Sequence, residues 1–152
     1  MILAAIAVIA VGQSFTCQVV SVHDGDGPFH CANGISVRLA GIQAPDFEDA
    51  EPCRLGRAGF VCSNAEAARA RDAMQSIILG KDLTCTATGR SYKRTVAKCS
   101  FSGSDLSCYA IAHGIAARWP RYDRAGTLTH CEERSMPRSN LNGLIDHPPP
   151  RR

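Results

Sequence analysis

The chain has 152 residues, with 17 Lys and Arg against 14 Asp and Glu, and carries a formal net charge of +3. Its length excludes a large multidomain protein, and 45% apolar with 20% charged residues is the composition of a globular chain. So small an excess of positive charge permits contact with polyanions but does not by itself argue for it.

The first twelve residues, MILAAIAVIAVG, form an apolar run without a charged side chain, and Ala10 and Gly12 stand as in a small-x-small cleavage site. This pattern predicts a secretory signal peptide over residues 1–14. The leading segment lacks the usual Lys or Arg, so a short uncleaved anchor stays open as an alternative, although the run is short for a bilayer. We therefore expect a secreted or periplasmic protein, without stable membrane association after cleavage.

All 8 cysteines follow that segment, and none of them forms a C-x-x-C motif, which argues against a structural zinc site. An even number of cysteines in an exported chain predicts disulfides. Two equally spaced pairs flank turn-rich segments and are expected to meet across hairpins, and elimination assigns the other two. The predicted pairs are Cys17/Cys31, Cys85/Cys99, Cys53/Cys62 and Cys108/Cys131.

Residues 15–23 and 28–40 are rich in β-branched and aromatic residues and are interrupted by Asp24-Gly25-Asp26-Gly27 and Asn33-Gly34. Asn-Gly is a strong hairpin signal, so three consecutive antiparallel strands are predicted. The two aspartates, taken alone, are explained by a tight turn, which Asp24 is expected to cap or stiffen. Residues 43–62, with two prolines, are predicted to form a long loop.

Ser63 and Glu66 form a capping box, which predicts a helix over residues 63–79 that ends at Gly80. Strands are predicted near residues 82–88 and 94–101. A second helix, capped by Ser104 or Asp105, is expected to run to His113, and a third is expected within residues 122–136. The remainder, residues 137–152, is predicted to be a flexible tail.

Five strands divided three and two around a capped helix are typical of a small Greek-key barrel. The predicted fold class is mainly β with α (α+β): a five-stranded OB-fold Greek-key barrel with about three helices, formed by residues 15–136. Two alternatives remain open at this point, namely an open α+β sandwich and a disulfide-held sheet without barrel closure.

Several motifs follow one another over residues 17–124: DGD at 24–26, VRLAGIQAPD at 37–46, YKRTVA at 92–97 and DLSCYAIAHGIA at 105–116. In order and spacing they resemble the staphylococcal nuclease (thermonuclease) family. The resemblance implies a calcium-dependent phosphodiesterase that acts on DNA and RNA.

The resemblance also implies roles for individual residues. Asp26 corresponds to a calcium ligand, Arg38 and Arg94 to the arginines that grip the scissile phosphate, and Asp46 to the base that activates water. These residue types suit the chemistry, because guanidinium groups match phosphate oxygens in pairs, calcium prefers oxygen ligands, and a carboxylate can deprotonate water. We therefore expect Ca²⁺ as the cofactor.

This sequence departs from the family pattern near the metal and the base. Gly27 replaces a threonine, Gln43 replaces a second calcium-binding aspartate, and Asp46 replaces a glutamate. Gln43 retains a carbonyl oxygen as a metal ligand but has lost a charge, so weakened calcium binding is predicted. Asp46 is shorter by one methylene, and catalytic geometry is sensitive to shifts of about 1 Å. Lys93 replaces a glycine and adds charge beside Arg94.

Tyr92, Lys93 and Tyr122 are the predicted substrate-binding residues, because aromatic faces beside cations suit single-stranded DNA or RNA. The acidic run from Asp46 to Glu51 suggests that Glu48 or Asp49 acts as a substitute ligand or base, against the simpler interpretation of a solvated loop. Two functions follow: an exported nuclease, expected to be monomeric, or a nuclease-fold module that binds nucleic acid, nucleotide or protein without turnover.

Overall fold

The computed structural model of the protein describes residues 9–134. The predicted tail at 137–152 and the first eight residues of the predicted signal peptide lie outside this range. Residues 10–13 run beside the barrel, where Gly12 N–H donates to the Ala87 carbonyl at 2.8 Å. None of the helices within residues 9–134 is long and apolar enough to cross a membrane.

A closed five-stranded barrel forms the body of the protein. Its antiparallel neighbours run in the order β3-β2-β1-β5-β6, and a parallel pairing of β3 with β6 closes it. The closure confirms the predicted OB-like α+β fold and excludes both open alternatives. The strands are β1 (Ser14–Val22), β2 (Phe29–Cys31), β3 (Ser36–Leu39), β5 (Asp82–Ser91) and β6 (Arg94–Phe101).

Three two-residue strands complete the sheets of the described part: β4 (Ile42–Gln43), which pairs with β8 (Ala117–Arg118), and β7 (Ser104–Asp105) beside β6. Residues 9–134 also contain four α-helices and one 3₁₀ turn. These are α1 (Glu51–Arg54), α2 (Asn64–Ile78), α3 (Leu106–Ala112), α4 (Thr129–Arg134) and the 3₁₀ turn Pro120–Tyr122.

The local patterns explain the elements that were predicted best. Ser63 Oγ accepts the Glu66 N–H at 3.3 Å, which confirms Ser63 as the N-cap, but the Ser63 N–H donates to the Asp46 carbonyl and not to the Glu66 side chain, so only half of the capping box forms. Gly80 adopts a φ of +75° just beyond the helix. The buried face of α2 carries Ala67, Ala70, Met74 and Ile78. Asp105 Oδ1 accepts the Cys108 N–H at 2.9 Å and so caps α3, one of the two predicted alternatives.

Other predicted boundaries differ from the structure. The loop at residues 43–62 contains α1, and β5 continues to Ser91. The third helix is divided, because Pro120 begins a short 3₁₀ turn and Gly126, at φ +68°, separates it from α4. That glycine adopts a left-handed conformation that a continuous helix cannot include.

All four predicted disulfides are present, and no free cysteine remains in the described chain. Cys17–Cys31 and Cys85–Cys99 join neighbouring strands, while Cys53–Cys62 and Cys108–Cys131 hold the long loop and the α3–α4 pair. Four bridges in so small a chain indicate an oxidising, non-cytoplasmic environment.

Candidate active site

The loop between β1 and β2 is buried, unlike most hairpin turns. Asp24 and Asp26 are only 8% and 4% exposed. At Gly25 a Cβ atom would lie 2.9 Å from the Ala44 Cβ and 3.0 Å from the Ala70 Cβ, so a side chain does not fit there. Glycine therefore lets the two aspartates reach the interior between the barrel and α2.

Asp24 supports this turn, as the sequence predicts. Its Oδ1 accepts the Asp26 N–H at 3.2 Å. Burial, together with the negative charge of Asp26, raises the pKa of Asp24 far above its usual range. The buried loop therefore disfavours a second negative charge on Asp24 beside that of Asp26.

Gly27 adopts a conformation that the family threonine cannot share. Its φ is +114°, and a Cβ atom would overlap the Val37 carbonyl oxygen and lie 3.1 Å from the Arg38 Cα. The departure from the family pattern is thus tied to the close approach of the loop to β3.

Arg38 lies in the seam where β3 pairs with β6, and its side chain is only 13% exposed. Its Nη1 donates to the carbonyl oxygens of Leu39 and Ile42, at 2.9 and 3.1 Å. Its Nη2 donates to Gln43 Oε1 at 2.8 Å and to Asp26 Oδ2 at 3.4 Å. The guanidinium is therefore held by four acceptors, of which the Asp26 carboxylate is the most distant.

Gln43 connects Arg38 to the predicted base. Its Nε2 donates to Asp46 Oδ2 at 2.6 Å and to the Ala44 carbonyl at 3.0 Å. Burial, and then the negative charge of Asp26, raise the pKa of Asp46 to about 6, although the Gln43 hydrogen bond and the charges of Arg38 and Arg94 act in the opposite direction. A carboxyl group with this pKa exchanges protons near neutral pH.

Arg94 begins β6 and stands on the other strand of the same seam. Its Nη2 donates to Ser91 Oγ at 3.1 Å and its Nε to the Ser91 carbonyl at 3.4 Å. No salt bridge within residues 9–134 involves Arg94. Since its charge reaches Asp46 without a direct ion pair, Arg94 retains its charge for an anionic ligand.

The predicted substrate-binding residues are exposed. Tyr92, with a φ of +56°, and Lys93 form the tip of the β5–β6 hairpin just before Arg94, and Tyr92 is 79% exposed. Tyr122 is 60% exposed in the 3₁₀ turn. The hairpin tip therefore lies next to Arg94. Among the described residues, no hydrogen bond joins Tyr92 or Lys93 to the other residues of the site.

A row of aromatic rings, largely missed from the sequence, extends the site. The Arg38 guanidinium carbon lies 5.7 Å from the Trp119 ring centroid. Trp119 in turn packs against Phe60 at 5.5 Å and against Tyr122 at 4.5 Å between centroids. Of these rings the sequence pointed only to Tyr122, and it gave no sign of Phe60, because these contacts join distant segments.

The acidic run after Asp46 does not supply a substitute ligand from Glu48. Glu48 N–H donates to Asn64 Oδ1 at 2.9 Å, and Asn64 Nδ2 donates to Glu48 Oε2 at 3.4 Å. Glu48 therefore faces the start of α2, in agreement with the simpler interpretation of this run.

The predicted calcium ligands are occupied by hydrogen-bond donors. Asp26 Oδ2 accepts the Ala44 N–H at 2.8 Å, and Gln43 Oε1 faces the Arg38 cation. Calcium takes six to eight oxygen ligands, which this arrangement does not offer. Among the described residues, three potential His, Cys, Asp or Glu ligand atoms converge within 4.8 Å only at Cys108, His130 and Cys131, whose sulfurs form a disulfide. The residues as arranged do not fit calcium.

Comparison with known proteins adds no name to this site. A scan against models of protein families finds no match to the chain, and a search of curated proteins finds no relative.

Proposed function

We propose that the protein is an exported phosphodiesterase that hydrolyses DNA or RNA, as its resemblance to the staphylococcal nuclease family implies. One observation supports this above all: Asp46, a half-buried carboxyl group with its pKa raised to about 6, lies in the electric field of both Arg38 and Arg94. A perturbed carboxyl group between two cations is typical of an acid–base site.

Arg38 and Arg94 bind the phosphate in this proposal. Negative charge grows on the non-bridging oxygens during attack, and prearranged guanidinium groups stabilise it. Within residues 9–134 the Arg94 side chain donates hydrogen bonds only to Ser91, which leaves guanidinium N–H groups to donate to the phosphate. Arg38 exchanges its longest contact, the 3.4 Å bond to Asp26, for a phosphate oxygen.

Asp46 acts as the base. Its carboxylate takes a proton from water as the water oxygen bonds to phosphorus, and the bond from phosphorus to the leaving oxygen breaks. The leaving oxygen is protonated from solvent. Gln43 orients the carboxylate through its 2.6 Å hydrogen bond.

Single-stranded nucleic acid is the substrate that these surroundings favour. Tyr92 and Tyr122 are exposed aromatic residues beside Lys93 and Arg121, and bases stack on such faces in a sequence-tolerant way. Calcium is not needed for the steps above, and calcium binding by Asp26 and Gln43 remains a prediction that requires these side chains to rearrange.

A binding module without turnover is the second candidate. All four hydrogen bonds that Arg38 donates are accepted by protein oxygens. This arrangement suits a structural role for Arg38 as well as a role in binding a ligand. Asp46 also favours this candidate, because its side chain is one methylene shorter than the glutamate of the family pattern. This candidate retains the affinity for phosphate and predicts no cleavage.

The test is cleavage of a fluorescent single-stranded oligonucleotide, DNA or RNA, by the oxidised protein with calcium, with manganese and with chelator. We expect hydrolysis, reduced about 10²- to 10³-fold in Arg94→Ala because one phosphate donor is lost. Arg90→Ala, which removes an exposed arginine from the neighbouring strand, is the matched control and should retain the rate. Binding without cleavage under all three conditions would establish the second candidate instead.

A further inference from the structure

We propose that the Cys53–Cys62 disulfide is the positioning element of the candidate site: the loop that it closes, residues 53–62 (the cystine loop), fixes both Asp46 and Trp119. This inference rests on the proposed function only for the effect on turnover. Its structural part stands on contacts that the described residues make.

The first contact holds the backbone of Asp46. Asp46 N–H donates to the Val61 carbonyl at 2.8 Å, and Ser63 N–H donates to the Asp46 carbonyl at 3.1 Å. These two partners flank Cys62, and Asp46 and Cys62 form an isolated parallel β-bridge that belongs to no larger sheet. The peptide groups on both sides of Asp46 therefore depend on the position of Cys62.

The second contact holds the platform beneath Arg38. Phe60, in the cystine loop, meets Trp119 edge to face at 5.5 Å, and Trp119 lies 5.7 Å from the Arg38 guanidinium. One loop thus contacts the surroundings of the base and of a phosphate-binding arginine. A change in this loop is transmitted to both.

The cystine loop has little else to anchor it. Helix α1, whose last two residues begin this loop, buries no residue, and Leu55 and Val61 are 59% and 53% exposed. Because apolar burial is the main source of loop rigidity, a loop without it depends on its covalent closure.

This bridge is also the most accessible of the four. Cys62 is exposed and Cys53 is half-buried, whereas every other bridge has at least one sulfur-bearing residue that is fully or almost fully buried. An added dithiol therefore reduces Cys53–Cys62 first: it supplies two electrons and two protons, is itself oxidised to a disulfide, and leaves two protein thiols.

Two variants of the full chain test the proposal: Cys53→Ser with Cys62→Ser, and, as the matched control, Cys108→Ser with Cys131→Ser. We expect the first to lower kcat about 10- to 100-fold, as a displaced base does, and to raise KM for the oligonucleotide by a smaller factor, about threefold, because Arg38 loses its Trp119 platform while Arg94 is untouched. The control should retain kcat under all conditions in which it is folded. If the bridge only stabilises the fold, its loss will not lower kcat by a larger factor than it raises KM, and that result would overturn the proposal.

Two further readouts do not depend on turnover. Trp119 is the single tryptophan of the chain, so its emission reports the Phe60 contact directly, and hydrogen exchange of the Asp46 amide reports its bond to Val61. Both should change when the native protein is reduced gently at Cys53–Cys62, as located by peptide mapping. Unchanged emission and exchange after this reduction would overturn the proposal. Absence of hydrolysis by the native protein would refute the proposed function alone, and these two readouts would still decide the present question.

Discussion

Two buried Arg–Asp pairs in the protein differ in the way their hydrogen bonds are satisfied. Arg118 and Asp123 are joined at 2.7 Å, whereas Arg38 and Asp26 are 3.4 Å apart. All four side chains are largely buried. The difference lies in the surrounding groups.

Asp123 is fully supplied with donors. Besides Arg118, its oxygens accept the N–H and hydroxyl of Thr127 and the N–H of Leu128, at 2.7 to 3.0 Å. Burial alone would raise the pKa of Asp123, but these hydrogen bonds lower it to about 2. This pair fixes the segment between β8 and α4.

The Arg38 pair stands instead among too many carboxyl groups. Asp24 and Asp46 both have a raised pKa, since burial and the charge of Asp26 disfavour their ionised forms. Perturbed carboxyl groups of this kind are typical of functional sites, and a proton or a bound cation relieves their mutual repulsion. In this protein the pair with the short distance and the full set of hydrogen-bond donors stabilises the fold, whereas the pair with the longer distance and further carboxyl groups around it belongs to the candidate site.

The largest effect that separates the pairs is on stability. Arg118→Ala should lower the free energy of unfolding by about 3–5 kcal/mol, because Asp123 is left as a buried charge without its cation. Arg38→Ala should cost less, about 1–2 kcal/mol, because its contact to Asp26 is long and Ala44 still donates to that carboxylate. Urea unfolding monitored by circular dichroism measures both.

Arg124→Ala, at an exposed arginine in the same segment, is the control and should stay within about 0.5 kcal/mol of the native protein. Equal losses for Arg118→Ala and Arg38→Ala would erase the distinction between a structural and a functional pair.

The next effect concerns pH. The proposed cleavage should slow about tenfold per pH unit below about 6, because the Asp46 pKa is raised to about 6 and its carboxylate is the proposed base. In the folded state this raised pKa favours the protonated form, so ionisation of Asp46 costs stability as pH rises from about 4 to 6. Asp46→Asn should therefore raise Tm by a few degrees above pH 6 while abolishing cleavage.

Asp123 should show the opposite dependence. Since its pKa is lowered to about 2, its contribution to the free energy of unfolding is present above about pH 4 and is lost as pH falls toward 2.

A rate of cleavage of the oligonucleotide that stayed constant from pH 7 to 5 would remove Asp46 from its proposed role.

The smallest effect tests the metal. Gln43→Asp replaces an amide beside Asp26 with a carboxylate. Because calcium affinity rises with ligand charge, we expect the Kd for Ca²⁺ to be about tenfold lower than that of the native protein. Calorimetric titration measures it. Gln18→Asp, which adds the same charge on the exposed side of β1, should leave the affinity unchanged. Tight calcium binding by the native protein would show that Arg38 yields its place to the ion.

Local patterns in the sequence account for most of the fold. The Ser63 N-cap defines α2, hairpin signals place the strands, and spacing assigned the hairpin disulfides, because each depends on residues near one another in the chain. The third helix was predicted as one element, since a left-handed Gly126 is not distinguishable by periodicity from a tolerated helical glycine.

The candidate site was predicted in part. Motif positions gave Asp26, Arg38, Asp46 and Arg94, and the structure brings Asp26, Arg38 and Asp46 together with Gln43 in one hydrogen-bonded chain. The orientation of the Gln43 amide and the Phe60–Trp119 contact could not be predicted, because they arise from tertiary packing between segments with no shared local pattern.

The seam between β3 and β6 gives the site a place in the order of folding. Val37, Arg38 and Leu39 pair with Thr95, Val96 and Ala97 across it, and α2 and β5 separate the two strands in the sequence. Contacts so distant in the chain carry the highest closure entropy and form late. A partly folded chain with its hairpins and helix formed therefore keeps Arg38 and Arg94 apart, and the proposed phosphate-binding site is assembled only when the barrel closes.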